Sequence, residues 1–420
     1  MAKVFVLGLD GVPHSFIERS VEKGILPHFR ELLGEGSFRR MYSVIPTVSS
    51  VAWSTYMTGK NPGKHGIYGF IDRQPGSYEM YIPLATHMRG HTLWEILSQE
   101  GKSVVVINVP VTYPPRTVRG ILISGFLATK IDKATYPKEV AAQLHRFGYR
   151  IDVDPWNARQ GKMDDFVADL NTTLTKRFET AFYYMEKEDW DFFQLHVMET
   201  DRINHFLWDV TDHQEAFLAY YTKIDAYLGE LRSKIDSDTT LIVLSDHGFC
   251  GIESEIDLNF WLSVNDYLLF RNPEGDSLNN IDRKSRAYSL PPGRLYVNDQ
   301  PTGEEIRDKL LSLTDPETGR KIIKNVFRRE ELYEGEMAKI GPDLVAVPYD
   351  GFDLKASFQQ KRSMAGRTPI VGMHTYDDAF IYIRQKDITR EGPGIVDVMP
   401  TILALMDVPT PLDLDGSSCI

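Results

Sequence analysis

The chain has 420 residues, 42% of them hydrophobic and 25% charged, which is enough apolar content for a globule with a large core. A net charge of −12 excludes a general nucleic-acid binder, although a local cationic site can still hold phosphate. Cys250 and Cys419, the only cysteines, exclude a disulfide framework and suit a reducing compartment. No stretch reaches the roughly 18–20 apolar residues of a membrane span. The start MAKVFVLGLDG reads as a buried strand and not as a secretory signal. The expectation is a soluble, cytoplasmic protein without membrane association.

Val4–Leu9 is a continuous apolar run, the pattern of a buried parallel strand. Asp10 follows at its C-terminal end, the edge where active sites gather in open α/β sheets. Next comes SVIPTVSSVAWSTYMTGKNPGKHGIYGF, residues 43–70. Pro46 and Thr47 suit a turn or cap, residues 50–57 tolerate a helix, and Gly59, Pro62 and Gly63 stop it. Ser49 therefore falls at or near a helix start, where unpaired N–H groups and the positive dipole end favour an anion. A Ser there is ordinarily only an N-cap, so its meaning depends on the rest of the chain. No G-x-G-x-x-G follows the first strand. Residues 59–65 resemble a P-loop but carry three residues between the glycines instead of four, and His65 replaces the magnesium-binding Ser or Thr. Lys60, Lys64 and His65 are read as surface or loop residues.

Residues 71–91 are polar and mixed, an excursion from the core. A helix is expected over 92–100 and strands over 103–108 and 120–124, with a proline-rich stretch between them. A short helix is expected over 137–146. Residues 163–187 form an amphipathic helix whose stripe Phe166, Leu170, Leu174, Phe178 and Phe182 is core packing. The strand at 190–198 runs into Glu199-Thr200-Asp201-Arg202-Ile203-Asn204-His205. On a helix, Asp201 and His205 share one face at i, i+4, a metal-ligand spacing. After a helix over 214–235, the strand at 239–244 ends in Ser245-Asp246-His247-Gly248. Strand neighbours point oppositely, so Asp246 and His247 reach one site only if the strand breaks there, which Gly248 permits. Residues 253–297 read as irregular, with a short helix over 257–262 and a loop or lid over 272–286. A helix over 302–313 and a strand over 344–348 follow. Gly372-Met373-His374-Thr375 precedes a strand at 379–383, and a C-terminal helix is expected within 395–406.

Strand–Asp, helix-start Ser, Asp-x-x-x-His, strand–Asp-His and a late Gly-x-His occur in that order. In this combination the sequence resembles the alkaline phosphatase superfamily. It looks closest to the predicted phosphohydrolase/phosphomutase branch, next to the type I phosphodiesterase/nucleotide pyrophosphatases. The matching text is VLGLDG, PTVSSVAWSTYMTGKNPGKHGIYGF, ETDRINHF, LIVLSDHGF and GMH, with WEILSQEGKSVVVINVPVTYPP also similar. The resemblance covers most of the chain and is weakest over 128–190 and 265–340.

The resemblance implies an α/β fold, an alkaline-phosphatase-like three-layer sandwich whose mostly parallel central sheet has helices on both faces. It implies a single catalytic domain over 1–420, with insertions at 71–91, 128–160 and 253–297 as cap or lid. It further implies two divalent metal ions, one held by Asp201, His205 and His374 and the other by Asp10, Asp246 and His247, with Ser49 Oγ between substrate and metal. Such carboxylate–imidazole sets suit zinc, with manganese next. A coordinated hydroxyl is more acidic, so Ser49 is expected to attack phosphorus and pass through a phosphoseryl intermediate that is then hydrolysed. Thr47 and Ser50 are fallback hydroxyls, and Asn204 and Ser245 are possible supporting donors. Two departures matter. Ser49 stands where nucleotide pyrophosphatases usually have Thr, and Ala52 falls where they carry an Asn that binds a phosphoryl oxygen. Sulfatases need x-Pro-x-Arg after the nucleophile, and Ser49-Ser50-Val51-Ala52-Trp53 has neither Pro nor Arg. The expected function is two-metal hydrolysis of a small-molecule phosphate ester, diester or monoester. A phosphomutase or phosphotransferase, or a non-catalytic metal- and phosphate-binding protein, are the alternatives.

Overall fold

Side chains alternate along Val4–Leu9, so Phe5, Leu7 and Leu9 join one apolar cluster while Val4 and Val6 join another on the opposite face. The same alternation runs through Val104–Ile107 and Thr240–Leu244, which is why these stretches read as continuous apolar runs. The computed structural model describes residues 2–75, 79–272, 274, 275, 277–359, 365, 366 and 368–420. Residues 76–78, 273 and 276, which belong to two of the expected insertions, lie outside the described residues.

The two clusters sandwich an eight-stranded sheet in the order Gly36–Met41, Ala379–Arg384, Thr240–Leu244, Val4–Leu9, Phe192–Val197, Val104–Ile107, Gly120–Ile123, Thr135–Tyr136. The five strands from Thr240–Leu244 to Gly120–Ile123 are parallel, and antiparallel strands flank them. One face is covered by Met163–Lys187 and Gln214–Lys234, whose stripe is buried as expected at Phe166, Leu170, Leu174 and Phe178, with Phe182 only partly so. The other face is covered by Ser49–Thr58, Leu93–Gln99 and Val398–Leu405. This is the expected three-layer α/β sandwich. Gly8 pairs with His196 on one side and Leu244 on the other, so Asp10, Asp201, Asp246 and His247 all follow strand ends at one edge.

The structure corrects one reading of the chain. Residues 253–297 are not irregular: they hold the strands Ser254–Asp257, Ala287–Leu290 and Arg294–Val297 and the helix Leu258–Val264. The last two strands open a second, antiparallel four-stranded sheet completed by Leu344–Pro348 and Ile323–Arg328. An apolar cluster of its own lies behind this sheet, with Leu290, Leu295, Ile306, Val326, Leu344 and Leu354 among its members. Strands this short, carrying Arg294, Lys324 and Asn325, leave no clear period of two. The second sheet is latched to the main body by Arg294, which is buried and pairs with Asp72 while donating to the Ile71 carbonyl at 2.8 Å.

Candidate active site

Every expected site residue lies at the C-terminal edge of the main sheet. Asp10 is fully buried. Its Oδ1 accepts from Ser49 Oγ at 2.9 Å, and its Oδ2 accepts from Trp53 Nε1 at 2.8 Å and lies 2.9 Å from His196 Nε2. Burial alone would push this carboxyl up, but the hydrogen bonds from His196 and His247 outweigh it and hold Asp10 well below the usual range.

Ser49 opens the helix Ser49–Thr58 as its first residue, while Val48 occupies the cap position and no side chain caps the helix. The ordinary reason for a Ser at a helix start is therefore absent. Its hydroxyl instead faces Asp10 and lies 3.2 Å from His247 Nε2. The fallback hydroxyls do neither: Thr47 donates to Val44 O at 2.9 Å, and Ser50 Oγ is buried without a hydrogen-bond partner. Ala52 packs into the apolar core beneath the helix.

The strand Thr240–Leu244 breaks as the residue spacing requires, before Gly248–Gly251 resumes as a new strand. Asp246 Oδ1 accepts the Gly11 N–H at 3.0 Å, and Gly11 adopts φ +66, a conformation suited to Gly. Asp246 Oδ2 is buried with no hydrogen-bond partner and lies 3.4 Å from His247 Nε2. Asp201 and His205 lie on the helix Glu199–Leu207, and His205 Nε2 is 3.3 Å from Asp201 Oδ1. His374 reaches them from far along the chain because Gly372–Thr375 pairs antiparallel with Gly248–Gly251, setting His374 opposite Phe249. A side chain at Gly372 would strike the Asn204 carbonyl, so only Gly lets this strand approach the helix. His374 Nε2 then lies 3.1 Å from both Asp201 Oδ1 and His205 Nε2. The rings of His247 and His374 stack with centroids 3.7 Å apart, which joins the two groups. Ligand atoms of Asp10, Asp246 and His247 lie within 4.8 Å of one another, as do those of Asp201, His247 and His374.

This arrangement fits cations. The Nδ1 atoms of His205, His247 and His374 face the carbonyls of Gly372, Gly248 and Thr47 at 2.8, 3.0 and 3.3 Å. With Nδ1 committed to a carbonyl, Nε2 is the atom each ring directs at a carboxylate or at another Nε2, and it would become a lone-pair donor where a cation displaces its proton. Three carboxylates, Asp10, Asp201 and Asp246, are 0–2% exposed, and the nearby guanidinium of Arg202 pairs with Asp152 at 2.7 Å and reaches Asp201 Oδ2 only at 3.5 Å. Burial and then the charge of Asp10 push Asp246 well above the carboxylate range, while His247 is pushed up to about 9 because Asp246 and Asp10 overcome its burial. Asp10 and Asp246, neighbouring buried carboxylates held in opposite directions, leave a concentration of negative charge beside three imidazoles that suits divalent ions.

Several supporting residues carry no signal of their own in the sequence. Trp53 and His196 fix Asp10, and Thr200 Oγ1 donates to the Asp10 carbonyl at 2.7 Å. Of the two expected supports, Asn204 donates to Gly11 O at 2.8 Å and accepts from Tyr221 at 2.8 Å. Ser245 Oγ accepts the Phe380 N–H and braces the sheet, without touching the site. His65 corrects its reading as a surface or loop residue. It is fully buried, with Nδ1 accepting the Ile67 N–H and Nε2 3.1 Å from Thr55 Oγ1. Lys60 and Lys64 pair with Asp413 and Asp415. A cavity of about 880 Å³ opens from His205 and His374 outward between the site and the second sheet.

Comparison with known proteins agrees with this geometry. Phosphonoacetate hydrolase from Sinorhizobium meliloti, solved with phosphonoformate and with phosphonoacetate, has a similar fold at a TM-score of 0.70 and 17% identity, over 97% of this chain and 95% of that one. Murine ectonucleotide pyrophosphatase/phosphodiesterase 5, in an inactive form with AMP, is similar at a TM-score of 0.61 and 17% identity, over 99% and 98% of the two chains. The human form is similar at 0.60 and 16% identity, over 99% and 97%. Among the described residues no helix is long and apolar enough to cross a membrane. The sequence model of type I phosphodiesterase / nucleotide pyrophosphatase matches residues 4–377, and the chain belongs to that family, within the alkaline phosphatase superfamily, as a metal-dependent phosphoric ester hydrolase.

Proposed function

We propose that the protein hydrolyses small-molecule phosphate esters, diesters or monoesters, through a covalent phosphoserine at Ser49. The observation that carries this reading is the Ser49 hydroxyl. It is free of any capping role and is held 2.9 Å from Asp10 Oδ1 and 3.2 Å from His247 Nε2. Asp201, His205 and His374 would hold one divalent ion and Asp10, Asp246 and His247 a second, a donor set suited to zinc and next to manganese. Bound there, such ions supply acidity to the hydroxyl and screen the phosphoryl charge.

The residues themselves account for the remaining requirements. Asp10 and His247 fix the direction of the hydroxyl. The first-turn N–H groups of Ser49–Thr58, which have no helical acceptor, place a positive dipole end beside Oγ. Ser49 Oγ gives up its proton and bonds to phosphorus as the bond from phosphorus to the ester oxygen breaks, and that oxygen takes up a proton and leaves as the alcohol. Water then cleaves the Oγ–P bond, giving phosphate or a phosphomonoester and returning a proton to Ser49. Cys250 and Cys419 are unpaired, which supports a cytoplasmic setting for this reading.

The test is acid-quenching the metal-loaded protein during turnover of a p-nitrophenyl phosphate ester and mapping the phosphate by mass spectrometry. We expect phosphate on Ser49. In Ser49→Ala we expect none, with turnover lowered at least about a thousandfold. Full turnover by Ser49→Ala overturns the reading. Transfer of the group to an added alcohol, in preference to water, replaces the hydrolase by a phosphotransferase.

A further inference from the structure

The cavity leading out from His205 and His374 holds about 880 Å³, within the size that buries most of a drug-sized ligand. Its walls are largely apolar, with Arg294, Lys324, Asn325, Asp350, Asp353 and Lys355 among the polar residues. Ile45 and Val48 line it beside Ser49, and Leu290, Phe327, Val345 and Val347 line it from the second sheet. On Leu344–Pro348, Leu344 and Ala346 join the cluster behind that sheet, Val345 packs with Tyr68 and Tyr333 at the cavity wall, and Val347 is the half-buried valine that lines the cavity.

The mouth is apolar too. Tyr42, Ile71 and Met80 line it and are 42%, 44% and 37% exposed, although large apolar side chains are normally covered. The arginine and lysine side chains on the described lining already have carboxylate partners. Arg294 pairs with Asp72, Lys324 with Asp377 at 3.4 Å and Lys355 with Asp353, while Asp350 adds a further carboxylate. Asn325 Oδ1 accepts the Val326 N–H at 2.8 Å. An occupant here gains from covering apolar surface and finds no surplus positive charge for a polyphosphate.

We propose that the cavity binds a hydrocarbon chain, so that the substrate class is a phosphate ester of a long-chain or acylated alcohol. The phosphorus sits at Ser49, and the chain runs out along Phe327 and Val347. This inference rests on the hydrolase reading above and narrows it to one class of ester.

The test uses methyl, butyl and octyl p-nitrophenyl phosphates with the metal-loaded full chain, below any micelle concentration, and thymidine 5′-p-nitrophenyl phosphate as comparator. Burying one methylene is worth up to about fourfold, so kcat/KM should rise at least about a hundredfold from methyl to octyl. The octyl ester should also exceed the thymidine ester. A flat series, or a thymidine ester better than the octyl ester, overturns the inference.

Val347→Glu should lower the octyl-to-methyl ratio at least about tenfold. Ile71→Glu, at a side chain already in water, should lower it in the same direction without burdening the fold. An unchanged ratio in Ile71→Glu and in a folded Val347→Glu overturns the inference. A readout independent of turnover is calorimetry with octylphosphonate and methylphosphonate. The octyl compound should bind at least about tenfold tighter, and equal affinity overturns the inference. A flat series with an active methyl ester defeats this inference alone. Tight octylphosphonate binding with no hydrolysis of any ester defeats the hydrolase reading alone.

Discussion

The two sides of the cavity are built on opposite plans. On the side of the main sheet, polar groups from distant segments meet at one strand edge. His205, His247 and His374 each have Nδ1 on a carbonyl, and Asp10 has both oxygens engaged. On the side of the second sheet, Phe327 and Val347 are half-buried along the cavity, and the nearby arginine and lysine side chains are already paired. On the proposed reading, reaction and selectivity are carried by different sheets, and substitutions should separate them.

The largest effect is expected at the join between the sheets. Arg294→Met leaves Asp72 as a buried, unmatched carboxylate, which should cost about 3–5 kcal/mol in denaturant unfolding. A loss below about 1 kcal/mol would mean that the second sheet is held on by its apolar contacts instead.

A smaller effect is expected on the polar side. His196→Asn removes one of the two groups on Asp10 Oδ2 and leaves Trp53 alone. Groups that orient a ligand carboxylate typically matter by about 10–100-fold, so zinc affinity by competition with a chelator should fall by that much. The octyl-to-methyl preference should stay as in the wild type, because His196 does not line the cavity. A change in that preference would break the proposed division of labour.

The smallest effect concerns acid stability at His65, which packs against Thr55 of the helix Ser49–Thr58. Burial holds His65 at about 3, against roughly 6.5 when unfolded. Between those values the unfolded chain takes up a proton that the folded chain refuses, so this contribution is full above pH 6.5 and is lost as the pH falls. The slope is about 1.4 kcal/mol per pH unit at most. Urea unfolding at pH 6.5 and 5.5 should show a smaller loss in His65→Asn than in the wild type, by roughly 1 kcal/mol. Equal losses would place His65 in contact with water.

The legibility of the sequence follows the same division. Asp10, Asp201, Asp246 and His247 were readable because each follows a long apolar run, and a strand end in a parallel sheet is a fixed address. The three-layer fold was readable from those runs and from the stripe of Met163–Lys187. His374 is different. Only a resemblance pointed to it, since its place depends on pairing between Gly372–Thr375 and Gly248–Gly251, which no local pattern announces. Trp53 looked like an ordinary helix residue, and His196 like a polar interruption in a strand. Both needed the packing of helix on sheet to reveal them. His65, between Lys64 and Gly66, looked exposed, and only its contacts with Thr55 and Ile67 explain its burial. The second sheet escaped because Arg294, Lys324 and Asn325 interrupt the alternation of its short strands.

The central claim is that six side chains form two cation sites beside the oxygen of Ser49. The most direct test is anomalous diffraction from crystals of the protein soaked with zinc and orthovanadate. The account expects one zinc peak among Asp201, His205 and His374, a second among Asp10, Asp246 and His247, and vanadium next to Ser49 Oγ. Absence of zinc from these residues, or vanadium bound away from Ser49, would contradict it.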